Sequence, residues 1–316
     1  MTKLVLTIEP NRSSSVVRVR IQAGETIAPA LRVVQVTYNG KTVRLRRQPE
    51  SAAIADFATA GGTQSLEIDF GGPMPAGAII FPEQTTGITS PLPQLLNDAT
   101  GQLESRAQIW HPEHSPMRLK TLVSSLFAYN AHLAYLPCTF AGLTELREVP
   151  ESLFFPLIYA KSFAGTFMGT GLTKVSRQMF AANGQAEDFS HCFANCTSLK
   201  EVPEDLFAAN RLARNFESTF EASALQKIPA GLFRNNRKKG LFVRTFAATF
   251  VREVPAALMR DLAPLTVDGM FEPLQPLEHD PLRLKAGPVF SEDFFADTRT
   301  ASGVPTLSAD AEVHLL

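Results

Sequence analysis

Six phenylalanines, Phe140, Phe167, Phe193, Phe220, Phe246 and Phe271, follow one another at intervals of 27, 26, 27, 26 and 25 residues. A recurring period in this range restricts a chain more than any other feature it carries. One unit of that size cannot bury a hydrophobic face alone, so successive units must stack and share a continuous core. The units are alike around the marker. From Phe163 the sequence runs FAGTFMGTGLTKVSRQMFAAN, from Phe189 FSHCFANCTSLKEVPEDLFAAN, and from Phe216 FESTFEASALQKIPAGLFRNN. The shared pattern is F-x-x-[TC]-F, a small residue three positions on, then an apolar residue and [VI]-P-x-x-[LM]-F, with Ser176 replacing the proline in the first of these units. The proline follows the marker by ten residues at Pro150, Pro203, Pro281 and Pro305 and by nine at Pro229 and Pro255. A weaker unit continues at Phe295, and an irregular half-unit, FAYNAHLAYLP, precedes the array from Phe127.

The composition fits this reading. Of 23 Phe, 20 lie between Phe127 and Phe295, against 4 Tyr and 1 Trp in the whole chain. One bulky residue used at one repeated position predicts aromatic ladders along the stack. Phe163, Phe167, Phe189, Phe193, Phe216, Phe220, Phe242 and Phe246 are the expected core ladder. Within a unit, Leu199–Val202 suits a short strand edge. Pro203 at a first helical position, followed by the acids Glu204 and Asp205, predicts a short helix over PEDLFAAN. The expected fold is therefore an α/β repeat, a leucine-rich-repeat-like solenoid with units of about 26 residues, preceded by a small all-β N-terminal domain.

The run F-x-x-C-x-x-L-x-x-V-P at Phe193–Pro203 resembles the BspA-like leucine-rich repeats of bacterial surface proteins. The variant with F-x-x-T-F and P-x-x-L-F is similar to units of phage and prophage tail proteins. The resemblance covers residues 123–305. It implies surface display, adhesion or receptor contact, and no catalysis. The chain departs from a secreted member in lacking a signal peptide's apolar core and small-residue cleavage site at its start, and its first and last units are degenerate.

The N-terminal region has a different character. Leu4–Ile8, Val16–Ile21, Val33–Tyr38, Thr42–Leu45 and Leu66–Phe70 are short β-rich runs, and Asn39-Gly40 between two of them is a hairpin signal. The expected organisation is a β-sandwich-like attachment domain at 1–95, a connecting segment at 96–122, the repeat array at 123–305 and a C-terminal tail at 306–316.

Charge and chemistry narrow the function. A net charge of −1 gives no global basic field for nucleic acid, and no run of about 18 apolar residues predicts a membrane span. The first fifty residues nevertheless carry 9 Lys and Arg against 3 acids, with Arg44, Arg46 and Arg47 close together. Arg234, Arg237, Lys238 and Lys239 form a second basic cluster between two units. Arg211, Arg214, Arg237, Lys238 and Lys239, with Glu187 and Asp188, vary between repeats and are the candidate contact residues of the array. Arg44, Arg46 and Arg47 are those of the N-terminal domain.

His191, Cys192 and Cys196 contain zinc-ligand types. Cys192, however, aligns with Thr166, Thr219 and Thr245, and Cys196 with Thr170, Ser223 and Thr249, which makes them small core residues. His111 and His114 lie three apart rather than the four of a zinc-protease helix, with Pro112 between. No phosphate-cradling glycine motif and no G-x-S-x-G occurs. The reading is a non-enzymatic protein without cofactor or metal. The most favoured version is a phage or prophage tail component, receptor-binding or baseplate-associated. It would be made in the cytoplasm and carried on the virion, with the N-terminal domain on other tail or carrier proteins and the array on a host surface protein or glycan. Two alternatives remain at this level: a bacterial surface adhesin or effector exported without a Sec signal, and a glycan-degrading tail enzyme. Homo-oligomerisation is compatible with either virion or cell-surface display.

Overall fold

The computed structural model describes residues 3–9, 16–21, 33–46, 53–59, 61–76, 79–96, 106–107, 109, 118–236, 240–255, 258, 264–266, 269–271 and 289–290. The chain divides into two compact units, Met1–Ala134 with Gly142–Leu157, and Tyr135–Ala141 with Ile158–Leu316.

The first unit is built from strands β1 (Lys3–Ile8), β2 (Val16–Ile21), β3 (Val33–Tyr38), β4 (Lys41–Arg46), β5 (Ala53–Ala58), β6 (Gln64–Asp69), β7 (Met74–Pro75), β8 (Ile79–Ile80), β9 (Thr85–Ile88), β10 (Leu95–Leu96) and β11 (Thr121–Leu122). A six-stranded sheet runs β11-β9-β1-β6-β3-β4, and a three-stranded sheet runs β5-β2-β8. The larger sheet is mixed: β1 pairs antiparallel with β6 and β9, whereas β9 and β11 are parallel. Alternation sets the register. Leu4, Leu6 and Ile8 of β1, Val34, Val36 and Tyr38 of β3, and Leu66 and Ile68 of β6 are all buried, while their sequence neighbours face outward. Val17, Val19, Ala55 and Phe57 bury the inner face of the smaller sheet, and Tyr38 meets Phe57 between the two at a ring distance of 5.7 Å. Asn39 and Gly40 close the β3–β4 hairpin at φ 47° and 73°, the left-handed pair a two-residue turn demands. Buried Asn130 donates to the carbonyls of Leu92 and Pro93 and accepts from the Leu95 amide.

The described residues of the second unit form a stack of coils built mostly of turns. Along each marker segment, alternate amides do two different jobs. Those of Phe163, Gly165, Phe167 and Gly169 donate to the carbonyls of Asp188, Ser190, Cys192 and Ala194 in the next coil. Those of Thr166, Met168 and Thr170 donate three residues back, to Phe163, Gly165 and Phe167. The scheme repeats from Phe189, His191, Phe193 and Asn195 to the coil after, and again from Phe216, Ser218, Phe220 and Ala222. Two residues per coil, two before and two after the marker, take left-handed backbone: Cys138 and Gly142, Gly165 and Gly169, His191 and Asn195, Ser218 and Ala222, Arg244 and Ala248. This recurrence folds the segment into consecutive turns while keeping it in register with its neighbours. Isolated parallel bridges join Tyr135, Ser162, Asp188, Asn215 and Leu241 in one column.

The α/β repeat and the leucine-rich-repeat-like solenoid expected from the sequence are overturned. The regular elements are all β, in mixed sheets, and no helical element forms among the described residues, where Leu258 alone has helical backbone. PEDLFAAN is a run of turns. The amides of Leu206, Ala208 and Asn210 each reach back three residues, to Pro203, Asp205 and Phe207, and no four-residue ladder develops. Leu199–Val202 likewise forms no strand. The equivalent Glu253–Val254 (β13) does pair, in parallel, with Val289–Phe290 (β15), and Gly240–Leu241 (β12) pairs with Pro264–Thr266 (β14). The inter-coil column instead lies just before the first Phe of each unit, where the sequence pattern gives no strand signal.

Within the stack the rings form three files. Phe140, Phe167, Phe193, Phe220, Phe246 and Phe271 stack at 5.5–5.8 Å between neighbours, with planes within 14° of parallel. Phe163, Phe189, Phe216 and Phe242 form a second file. Phe180, Phe207 and Phe233 form a third, set edge-on or tilted against the second, as in Phe207 against Phe216 at 5.1 Å. Both stacked and tilted geometries suit the ring quadrupole.

Candidate interaction surface

Backbone carbonyls inside the phenylalanine core are met by repeated small side chains, although the Oδ1 atoms of Asn210 and Asn236 are themselves buried without a donor. The Thr166 hydroxyl sits 2.8 Å from the carbonyls of both Leu136 and Phe163. The Thr219 hydroxyl lies within reach of Phe189 and Phe216, and Thr245 donates to Phe216. Asn210 donates to Phe180 and Asn183 of the preceding coil, and Asn236 to Asn210. Cys192 and Cys196 occupy the equivalent buried sites as free thiols. Burial pushes the Cys192 thiol well above its ordinary range. Burial likewise raises Cys196 to about 11, opposed in part by hydrogen bonding to Thr170. Both therefore stay protonated near neutrality, the wrong state for a nucleophile or a metal ligand. No cluster of three or more metal-ligating side chains occurs among the described residues, and no helix there is long and apolar enough to cross a membrane.

The structure redistributes the sequence-predicted contact residues. Arg214 is exposed but forms an ion pair with Glu187 of the preceding coil at 2.7 Å. Asp188 accepts the Ser190 amide and the Ser162 hydroxyl; Asn215 does the same for the Glu217 amide. Asp188 and Asn215 thus cap the entry to their own marker segments, as Ser162 does by accepting the Ala164 amide. Glu204 and Asp205, expected at a helix N-terminus, instead hold Arg234 of the next coil and Arg177 of the previous one. The hydrogen bond from Arg177 outweighs desolvation and holds the Asp205 carboxyl below the usual carboxylate range. Partial burial opposes ionisation of Glu221, but hydrogen bonds from Arg244 and Ser218 prevail and lower its pKa. Arg211 and Arg44 are exposed. Arg46 lies on β4, and Arg47, Arg237, Lys238 and Lys239 lie outside the described residues, as do His111 and His114.

What the stack exposes is a set of columns whose chemistry changes from coil to coil. One, exposed to half-buried, reads Pro137, Ala164, Ser190, Glu217 and Val243; in the column beside it Cys138, His191 and Arg244 reach the surface, while Gly165 and Ser218 are buried. Their backbones superpose through the inter-coil hydrogen bonds, so the side chains stand on a regular lattice. Tyr135, Ile158 and Tyr159 of this unit are exposed as well, Tyr159 to 62%. Sequence reasoning missed these columns because, among the positions that vary between repeats, it singled out charged residues such as Arg211 and Arg214 and passed over the mixed positions beside the marker.

No family model matches the chain, and no curated protein matches it. Among solved structures it is similar to a chain in the structure of the Toll–Spatzle complex, described as a molecular hub in Drosophila development and innate immunity, at 14% identity and a TM-score of 0.37. The likeness covers 59% of this chain and 30% of that one.

Proposed function

We propose that this is a non-enzymatic binding protein whose coil stack presents a regular lattice of varied side chains to a partner. The observation that supports the reading is the contrast between columns. The buried ones repeat Phe, Thr and Asn on a fixed backbone, while the neighbouring positions that reach the surface run through apolar, hydroxyl, acidic, imidazole and guanidinium groups. A rigid frame with variable surface chemistry lowers the ordering cost of recognition.

In the version the repeat resemblance favours, the protein is a phage or prophage tail component. Its N-terminal unit joins other tail or carrier proteins, and its coils contact a host surface protein or glycan. The test is binding of the purified chain to intact host cells, before and after protease or periodate treatment, together with its detection in purified particles. Saturable cell binding that one treatment abolishes, with the chain present in particles, is the expected result. Depolymerisation of host polysaccharide by the pure protein would sink the non-enzymatic reading, and absence from particles the tail assignment.

A further inference from the structure

The six-stranded sheet ends at β4, and no described strand pairs with its far side. The hairpin geometry fixes which backbone groups face that side. The two-residue turn makes Tyr38 and Lys41 a hydrogen-bonded pair, so Val36–Val43 and Val34–Leu45 are hydrogen-bonded too, and Thr37–Thr42 and Gln35–Arg44 are not. The N–H and C=O groups of Thr42, Arg44 and Arg46 therefore point outward along the edge. Lys41, Thr42 and Arg44 are solvent-exposed, whereas Leu45 is buried. The edge thus combines three outward backbone positions with cationic side chains at Lys41 and Arg44, and its acidic sheet neighbours, Glu67 and Asp69, lie two strands away on β6.

We propose that the β4 edge is a docking strand for an extended acidic segment of a partner protein, which adds to the sheet as a further strand. This deepens the attachment reading of the N-terminal unit and rests on it. An added strand lies about 4.8 Å away, which brings its side chains opposite Thr42 and Arg44 within the range where cross-strand charge pairs stabilise and like charges destabilise. Carboxylates at alternate positions of the incoming strand complement Arg44, whereas Lys41, three residues away, lies on the opposite face. A second copy of the same edge is disfavoured, because antiparallel self-pairing centred on Arg44 sets guanidinium against guanidinium. The same charges that admit an acidic strand keep copies of the protein apart.

The experiment uses the full chain, isotope-labelled, titrated with a capped hexapeptide alternating Glu and Val, and separately with its Lys/Val counterpart. The acidic peptide is expected to bind at least ten-fold more tightly, with amide shifts and exchange protection concentrated at Thr42, Arg44 and Arg46. Arg44→Pro removes one outward donor and no β3 hydrogen bond, and is expected to weaken binding at least ten-fold. Arg44→Glu keeps the donor and is expected to reverse the peptide preference, which decides the matter should the proline variant fail to fold. Unchanged amides at millimolar acidic peptide, equal binding of both peptides, or full binding by Arg44→Pro would each overturn the proposal and leave the edge charges as guards against self-association alone. Recovery of the chain in purified particles is measured independently: if peptide binding fails while recovery persists, only the edge assignment falls, and if recovery fails the attachment reading falls with it.

Discussion

The two units solve the same problem, burying apolar surface around backbone polar groups, in opposite ways. In the first, strands far apart in sequence pair, as β1 does with β6 across some sixty residues, and the core mixes Leu, Ile, Val, Tyr and Phe. In the second, each buried group meets its own equivalent one coil away, and Phe, Thr and Asn recur in files. A sandwich core is a single object that forms or fails together. A coil stack is a series of nearest-neighbour interfaces, whose stability is approximately a sum over coils. The contrast predicts how damage spreads.

The largest effect is expected from a phenylalanine at the centre of the stack. Phe207 is fully buried, stacks on Phe180 and Phe233, and lies against Phe189 and Phe216. Phe207→Ala should cost about 3–5 kcal/mol. Hydrogen exchange should show protection falling most at the amides of Phe189, Phe193 and Phe216 and less with each coil away from them. Leu66→Ala in β6 should cost about 2–5 kcal/mol, with protection across the six-stranded sheet falling as one. Equal loss in every coil of the Phe207 variant would show the stack to be a single cooperative object and erase the distinction.

Next come the hydroxyls that only the stack requires. Thr219→Val keeps the shape but takes that donor from the Phe189 and Phe216 carbonyls, which still accept the Cys192 and Thr219 amides, so the loss should be about 0.5–1.5 kcal/mol. The reverse substitution at the equivalent site, Cys192→Thr, introduces the missing hydroxyl and should be neutral or stabilising by about 0.5–1.5 kcal/mol. Denaturant midpoints at constant slope measure both, and a destabilised Cys192→Thr would show that the coils are less equivalent than their backbones.

A pair of opposite substitutions tests the backbone itself. Gly165 has φ 61°, and a Cβ there would approach the Cys138 Sγ to 2.8 Å. Gly165→Ala should therefore lose about 1–2 kcal/mol from the left-handed conformation, plus the contact. Ala222 holds the same kind of conformation at φ 54°, and Ala222→Gly should stabilise by about 0.5–1 kcal/mol, the strain relieved exceeding the added chain entropy. Thermal melting of the two variants should shift in opposite directions.

These positions also show what could be read in advance. The period and two of the three ring files were legible because a buried Phe is large and recurs; the file of Phe180, Phe207 and Phe233 was not in the expected ladder. The turn-built path was not. Pro203, Glu204, Asp205 and two alanines favour a helix locally, but the stack sets the conformation: Phe207 must stay in file with Phe180 and Phe233, and the Asn210 amide must reach the Phe180 and Asn183 carbonyls. Tertiary packing overrides a short segment's preference. The left-handed pair per coil was half visible. Gly165 and Gly169 flank Phe167 as glycines, whereas His191, Asn195, Ser218, Ala222, Arg244 and Ala248 carry the same backbone with side chains that hide it. The contact surface was least legible. Arg214, singled out for its charge, bridges coils, because a charge in sequence does not reveal whether a neighbour one coil away already faces it.

The finest discrimination comes from two exposed ion pairs of matching chemistry. Arg18 and Asp56 join adjacent strands of the first unit, and Arg177 and Asp205 join adjacent coils of the second. In both pairs the hydrogen bond from the arginine outweighs desolvation and holds the carboxyl below its ordinary range. A lowered carboxylate pKa contributes stability that is fully present above the unfolded-state value and is lost as pH falls through the folded one. Both units should thus weaken slightly at acid pH, and less so in 1 M salt, where screening reaches about 3 Å. Asp56→Asn and Asp205→Asn remove the two contributions separately. The first should alter exchange along β2 and β5 together, and the second only the coils that carry Arg177 and Asp205. An exposed pair contributes little by itself, so a local response to its loss in the stack, against a shared one in the sheet, would show that the architecture rather than the strength of the contact determines how far a perturbation travels.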